Sequence, residues 1–165
     1  MPSLLSLSSL AKESVTLCLE KHVTFGTAES CTGGLISSSV TDISGASAVF
    51  YGGVVSYDNS VKHRILGVKT ETLERFGAVS EETAREMANG ALQVLGVDFA
   101  VAVTGIAGPG GGTPKKPVGL VYVAAASKNG VVVTENHFDG DREAVRLQTV
   151  RKALSLLIEK VKNEA

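Results

Sequence analysis

The run Phe99-Ala100-Val101-Ala102-Val103-Thr104 is almost wholly apolar and carries no charge. Such a run reads as a strand covered on both faces, which places it at the centre of a sheet with helices on either side. Everything else in the chain has to be arranged around that strand. Upstream, Leu4, Leu7, Leu10, Ala11, Ser14, Val15, Cys18 and Leu19 recur at helical spacing, with Lys12, Glu13, Glu20 and Lys21 mainly on the other side. Val23 to Ala28 is short, contains β-branched residues and reads as a second buried strand. Gly33 to Ile43 then reads as a helix that Gly45 breaks.

Phe50 to Tyr57 is expected to be a strand, with Gly52 and Gly53 marking a bulge or a close backbone approach. Asn59 to Leu66 reads as a short helix. Ser80 is placed to cap a helix with Glu81 and Glu82 in its first turn, running through Ala84, Met87, Ala91 and Val94 to Gly96. Val118 to Ser127 and Val131 to Phe138 read as antiparallel strands joined around Asn129-Gly130. From Asp141 onward, Val145, Val150, Ala153, Leu154, Leu157, Ile158 and Val161 mark a closing amphipathic helix. Helices interleaved with buried strands, plus one hairpin, predict a three-layer α/β/α sandwich on a mixed, mostly parallel sheet.

Composition narrows the function classes. At 165 residues and 44% hydrophobic content, the chain suits one domain, residues 1–165, able to bury a sizeable core. Sixteen basic against 17 acidic residues give a net charge of −1, so no polycation is available for nucleic-acid binding by charge. Cys18 and Cys31 form no CxxC pair, which favours a reducing compartment. Met1 to Ala11 lacks the basic region of a signal peptide, and no apolar run is long enough to span a bilayer. A cytoplasmic protein without a membrane partner is the expectation. His22, His63 and His137 are scattered, and no His, Asp and Glu cluster has metal-ligand spacing.

Two stretches carry chemistry. In Thr27-Ala28-Glu29-Ser30-Cys31-Thr32-Gly33-Gly34 a strand feeds a glycine-softened turn and then a helix. Such a turn aims free backbone N–H groups at whatever lies over it and can hold an oxyanion or a phosphate. Ser30 there is either a helix cap or a nucleophile, and Cys31 is either a competing nucleophile or a buried filler. Glu29 can fix a nearby lysine, contact a substrate or orient the turn. The second stretch, Gly105 to Pro114, is too glycine-rich for regular structure and follows the central strand directly. It lacks both the G-x-x-x-x-G-K-[ST] pattern and a G-x-G-x-x-G that opens a helix, so ATPase and dinucleotide-dehydrogenase readings lose their main parts. It reads either as a surface loop or as a wall where Thr104, Gly105 and Gly108 let backbone approach a nucleotide. Arg142 and Arg146, four apart near the start of the last helix, read either as a solvated face or as phosphate ligands. Ligands in such folds bind beyond the carboxyl ends of strands, so both stretches are expected at one crevice.

The block AESCTGG at residues 28–34, Gly53-Val54-Val55-Ser56-Tyr57 with Lys62 soon after, Gly77-Ala78-Val79-Ser80, and TGIAGPGGG followed by KPVG occur in that order over nearly the whole chain. Together they resemble the CinA C-terminal domain family. The resemblance implies an amidohydrolase that converts nicotinamide mononucleotide to nicotinate mononucleotide and ammonia in pyridine-nucleotide salvage. It implies Ser30 as nucleophile, Lys62 as its base and Tyr57 beside them, passing the proton or holding the amine. Backbone N–H groups around Cys31, Thr32 and Gly33 would hold the oxyanion. Glu29, Thr104, Gly105, Gly108 and Arg142 are the further candidates for substrate contact. No cofactor and no metal is called for. The expected partner is a small-molecule nucleotide, and a homo-oligomer, a dimer first, is the expected assembly. Longer members carry an N-terminal domain with a separate hydrolase activity, for which 165 residues leave no room. The competing reading is a nucleotide-binding or protein-interaction module without turnover, linked to competence or DNA damage.

Overall fold

The computed structural model describes residues 4–165, with side chains from Leu7 onward. The side chain of Leu4, expected on the first helix's apolar face, therefore lies outside the described residues. Five strands form one sheet in the order β2 (Phe50–Val55), β1 (Phe25–Glu29), β3 (Phe99–Gly105), β4 (Leu120–Ser127), β5 (Gly130–His137). β2, β1 and β3 pair in parallel, and β4 is antiparallel to both of its neighbours, so it alone runs against the other strands. The sheet is mixed and mostly parallel, as the sequence predicts.

The central strand sorts its side chains by size. Phe99, Val101 and Val103 point to a layer that holds α1 (Leu4–Lys21), α2 (Leu35–Thr41) and α6 (Arg142–Glu164). Ala100 and Ala102 point to the other layer, beside Ala28, Ala124 and Ala126, where α5 (Glu81–Leu95) and α3 (Asn59–Leu66) pack. Period-two alternation of large and small residues thus sets two different layer depths. On the alanine side backbone approaches backbone: a Cβ at Gly90 of α5 would overlap the carbonyl oxygen of Leu66 at the end of α3.

Helix ends follow local chemistry. Asp58, Ser80 and Asp141 accept from the N–H groups of Ser60, Thr83 and Ala144, and Gly67 and Gly96 close α3 and α5 in the left-handed conformation. Four expectations shift. The hairpin turn is Lys128-Asn129, with Gly130 already paired to Ser127, because the Ser127 hydroxyl accepts from the Asn129 N–H and Glu164 takes both side chains. Val94 is exposed, and Leu92 and Leu95 pack on the core instead. Leu19 is likewise exposed, at the end of α1. A further helix, α4 (Thr70–Phe76), was not anticipated. Its N-terminus has no side-chain cap of its own, and Glu86 of α5 accepts from the Lys69 N–H and the Thr72 hydroxyl instead. Among the described residues no helix is long and apolar enough to cross a membrane.

An exposed helical glycine is normally improved by alanine, by about 1 kcal/mol. At Gly90 the missing space reverses the sign: Gly90→Ala is expected to lose about 1–3 kcal/mol by overpacking. Urea unfolding decides it, and a variant more stable than the parent would contradict this packing.

Candidate functional site

The three parallel strands end together. The Ser30 N–H donates to the Val103 carbonyl and the Ser56 N–H to the Glu29 carbonyl, which lines up the carboxyl ends of β1, β2 and β3. Over this edge lies a cleft of about 280 Å3 lined by Ser30, Cys31, Tyr57, Asn59, Lys62, the Ala78-Val79 segment, the loop from Thr104 to Gly111, and Arg142. The two stretches singled out in the sequence do meet at one crevice. Among the described residues no carboxylate lines it, and Lys62 and Arg142 are the charged side chains an anionic ligand meets there.

Alternation along β1 decides which side chain goes where. Thr27 and Glu29 face α2, whereas Ala28 faces the α3 and α5 layer, and Ser30 follows on that side. There Lys62 waits. Its α3 starts at the Asp58 cap, and the Lys62 N–H donates to the Asp58 carbonyl. Lys62 is 1% exposed, and its amine has three hydrogen-bond partners: Ser30 Oγ at 3.0 Å, the Ser56 carbonyl at 2.8 Å and the Tyr57 carbonyl at 3.1 Å. Burial depresses its pKa below the usual lysine range, with Asp58 opposing. Two carbonyls can only accept, so a neutral amine gives both its hydrogens to them and turns its lone pair to the serine hydroxyl.

Glu29, one of the residues expected at a substrate, is fully buried and does not line the cleft. Its carboxylate accepts from the Thr32 hydroxyl (2.6 Å), the Ile36 N–H (2.9 Å), the Ser37 N–H (3.0 Å) and the Ser37 hydroxyl (2.7 Å). It orients the turn and neutralises the start of α2, because it leaves the sheet on the face opposite Ser30. Gly34, with φ 104°, is the residue that precedes α2, so Ser30 is not the cap of that helix. Gly53 of β2 lies over the same network, and a Cβ there would overlap Thr27 Oγ1.

Thr32 is also fully buried, and neither it nor Gly33 lines the cleft. Thr104 lines it, but its hydroxyl is committed to the Ala78 carbonyl at 2.7 Å and so anchors the opposite wall. Gly105 and Gly108 are required for packing as well as for access: a Cβ at Gly105 would lie 2.8 Å from the Leu120 carbonyl oxygen, and Gly108 has φ 82°. The Tyr57 ring is exposed and its hydroxyl bonds Arg142 Nη2 at 3.3 Å, not Ser30 or Lys62. Its carbonyl, rather than its phenol, is what holds the amine. Arg142 also donates to the Gly108 carbonyl at 2.8 Å, bridging the two rims of the cleft. Arg146 stays out of the cleft and binds the carbonyls of Cys31 and Thr32. Asn59 and the Ala78-Val79 wall were not selected as site residues. An exposed-looking asparagine at a helix start carries no signal, although Ala78 and Val79 sit in one of the recognised blocks. Among the described residues no three His, Cys, Asp or Glu side chains gather as a metal site.

A mixed sheet between helix layers, with a serine and a buried lysine in contact at the strand ends, defines an α/β protein with a Ser-Lys pair over its crossover edge. The CinA C-terminal domain model matches residues 7–161, and the chain belongs to that family. It is 53% identical over 161 residues to a CinA-like protein of Leptospira borgpetersenii, covering 97% of this chain and 38% of that relative's length. The chain thus spans well under half of the curated relatives it matches. Among solved structures, it resembles a competence/damage inducible protein from Agrobacterium tumefaciens at TM-score 0.91 and 50% identity, covering 96% of each chain. It also resembles the competence damage-inducible protein A of Klebsiella pneumoniae at TM-score 0.93 and 34% identity, covering 96% and 99%.

Burial pushes the Cys31 thiol up to about 12, with its own backbone N–H and then Arg146 and Lys62 pulling the other way. The reactive thiolate is therefore scarce at neutral pH and grows only as pH nears that value. Iodoacetamide is expected to alkylate Cys31 far more slowly at pH 8 than an ordinary thiol, with a rate still climbing between pH 9 and 10. Peptide mass spectrometry reads this directly, and rapid labelling at pH 7 would contradict it.

Proposed function

We propose that this cleft deamidates nicotinamide mononucleotide to nicotinate mononucleotide and ammonia, with Ser30 as nucleophile and Lys62 as its base. The observation that carries the reading is the three-partner environment of the Lys62 amine. A buried lysine whose two N–H bonds are taken by carbonyls can accept a serine proton, and without such a partner a serine at neutral pH attacks poorly. Ser30 Oγ attacks the carboxamide carbon and its proton passes to Lys62. The Cys31 N–H, in the cleft lining beside Ser30 and met only by its own thiol, is the backbone donor suited to the oxyanion. The Lys62 ammonium then gives its proton to the leaving nitrogen, and ammonia departs. Lys62, neutral again, takes a proton from the water that cleaves the acyl ester.

The rest of the cleft supplies orientation. Arg142 and the backbone of the glycine loop stand at the rim as donors for the 5′-phosphate. Binding energy gathered there orients the carboxamide against Ser30, so the riboside and free nicotinamide lose kcat as well as affinity. The competence and damage names of the structural relatives describe no chemistry, and a module without turnover has no use for a depressed lysine in contact with serine.

Purified protein is expected to release ammonia from nicotinamide mononucleotide faster than from its riboside. Ser30→Ala and Lys62→Ala each lose about a thousandfold or more in kcat, and the double variant loses no more than the worse single one, since the two act as a unit. Near-parental turnover in either folded variant removes that residue from the mechanism.

The pH profile carries a sign of its own. The active form has Lys62 deprotonated, and burial lowers its pKa from 10.5, so kcat/KM rises with pH through an apparent pKa below that value. An acidic limb sitting at the ordinary lysine value would contradict a buried base.

A further inference from the structure

We infer that Arg146 is a positioning residue that sets the oxyanion donor of the Ser30 turn, the Cys31 N–H, an assignment that rests on the serine mechanism above. Arg146 lies one turn along α6 from Arg142 but behind the nucleophile turn, not in the cleft. Its Nε donates to the Cys31 carbonyl at 3.1 Å and its Nη2 to the Thr32 carbonyl at 2.8 Å. One planar guanidinium thus fixes two successive peptide units.

In a trans peptide the N–H points opposite to the C=O. Drawing the Thr32 carbonyl onto Arg146 therefore turns the Gly33 N–H away from that guanidinium and onto the Ser30 carbonyl. The Cys31 N–H belongs to the preceding peptide, whose carbonyl on Ser30 is tied to the Gly33 N–H at 3.1 Å. On the far side of the turn, Glu29 takes the Ile36 and Ser37 N–H groups. Acceptors of the turn go to Arg146, donors of α2 go to Glu29, and the N–H of Cys31 is left in the cleft lining beside Ser30.

Charge points the same way. Arg146 makes no ion pair among the described residues, so its positive charge is left facing the turn's carbonyls. It polarises the Cys31-Thr32 peptide and favours negative charge developing beyond it. Lysine cannot reproduce this, because a point charge reaches one carbonyl where the fork reaches two.

The test uses the full chain and the variants Arg146→Ala and Arg146→Lys, with two readouts of Ser30 chemistry. The first is ammonia release from nicotinamide mononucleotide. The second is phosphonylation by a fluorophosphonate, in which a bond forms from Ser30 Oγ to phosphorus, the P–F bond breaks, fluoride leaves and the hydroxyl proton goes to Lys62. For Arg146→Ala we expect kcat to fall about 10- to 100-fold with KM little changed, since the lost contact matters in the transition state. Phosphonylation should slow in parallel, low-millimolar guanidinium should restore part of both rates, and Arg146→Lys should fall between. Rates within about twofold of the parent in both assays would overturn the assignment. So would losses that track a lowered Tm and a raised KM, with no rescue by guanidinium or lysine. If the parent phosphonylates but releases no ammonia, the amide substrate is wrong and the labelling rates alone decide the role of Arg146. A parent that does neither overturns both.

Discussion

The arrangement depends on one buried amine. Lys62 is enclosed at the end of the sheet, where an ammonium loses most of its hydration, and the Ser56 and Tyr57 carbonyls, the Ser30 hydroxyl and the charge of Asp58 offset part of that loss. To bring these groups together, β2 must end level with β1, the chain must turn at Tyr57-Asp58, and α3 must start there. The Ser56 N–H on the Glu29 carbonyl fixes the first condition and the Asp58 cap fixes the third. An uncompensated lysine would be expelled to solvent; this one is held at contact distance from a serine. Enclosure and depressed basicity are thus a single physical fact, and the base role proposed for the amine rests on it.

Rigidity around Ser30 comes from the unequal layers. Small residues on one sheet face let α5 and α3 approach closely, so the helix that carries Lys62 is set by backbone contact at Gly90 and Leu66 rather than by adaptable side chains. On the other face, larger residues leave room for a polar column of Thr27, Glu29, Thr32 and Ser37 beneath the turn. Fully satisfied, such a column stiffens the segment that carries Ser30.

Much of the fold was legible because it follows from periodicity and caps. The burial of Phe99–Thr104 on both faces, the bounds of α3, the cap at Ser80 and the start of the last helix after Asp141 all rest on local rules. What escaped was held by distant partners: α4 is capped from α5, and the hairpin register is fixed by Glu164 near the chain's end. The site divides in the same way. The Ser30 turn and the glycine loop could be read as chemistry from their own residues. The role of Lys62 came from the family resemblance, since nothing local says that this lysine is buried. Glu29 was open among three roles until the direction of its side chain settled it as the organiser of the turn. Tyr57 was matched by the resemblance through its phenol, yet its backbone carbonyl makes the contact to the amine.

The central claim is that Ser30 becomes covalently acylated, and this can be observed rather than inferred. Mixing the protein with nicotinamide mononucleotide, quenching in acid within one turnover and mapping the digest by mass spectrometry should find a nicotinate mononucleotide ester on Ser30. The adduct should disappear as substrate is exhausted. Continued ammonia release with no adduct on Ser30, or with the adduct on Cys31, would contradict the account.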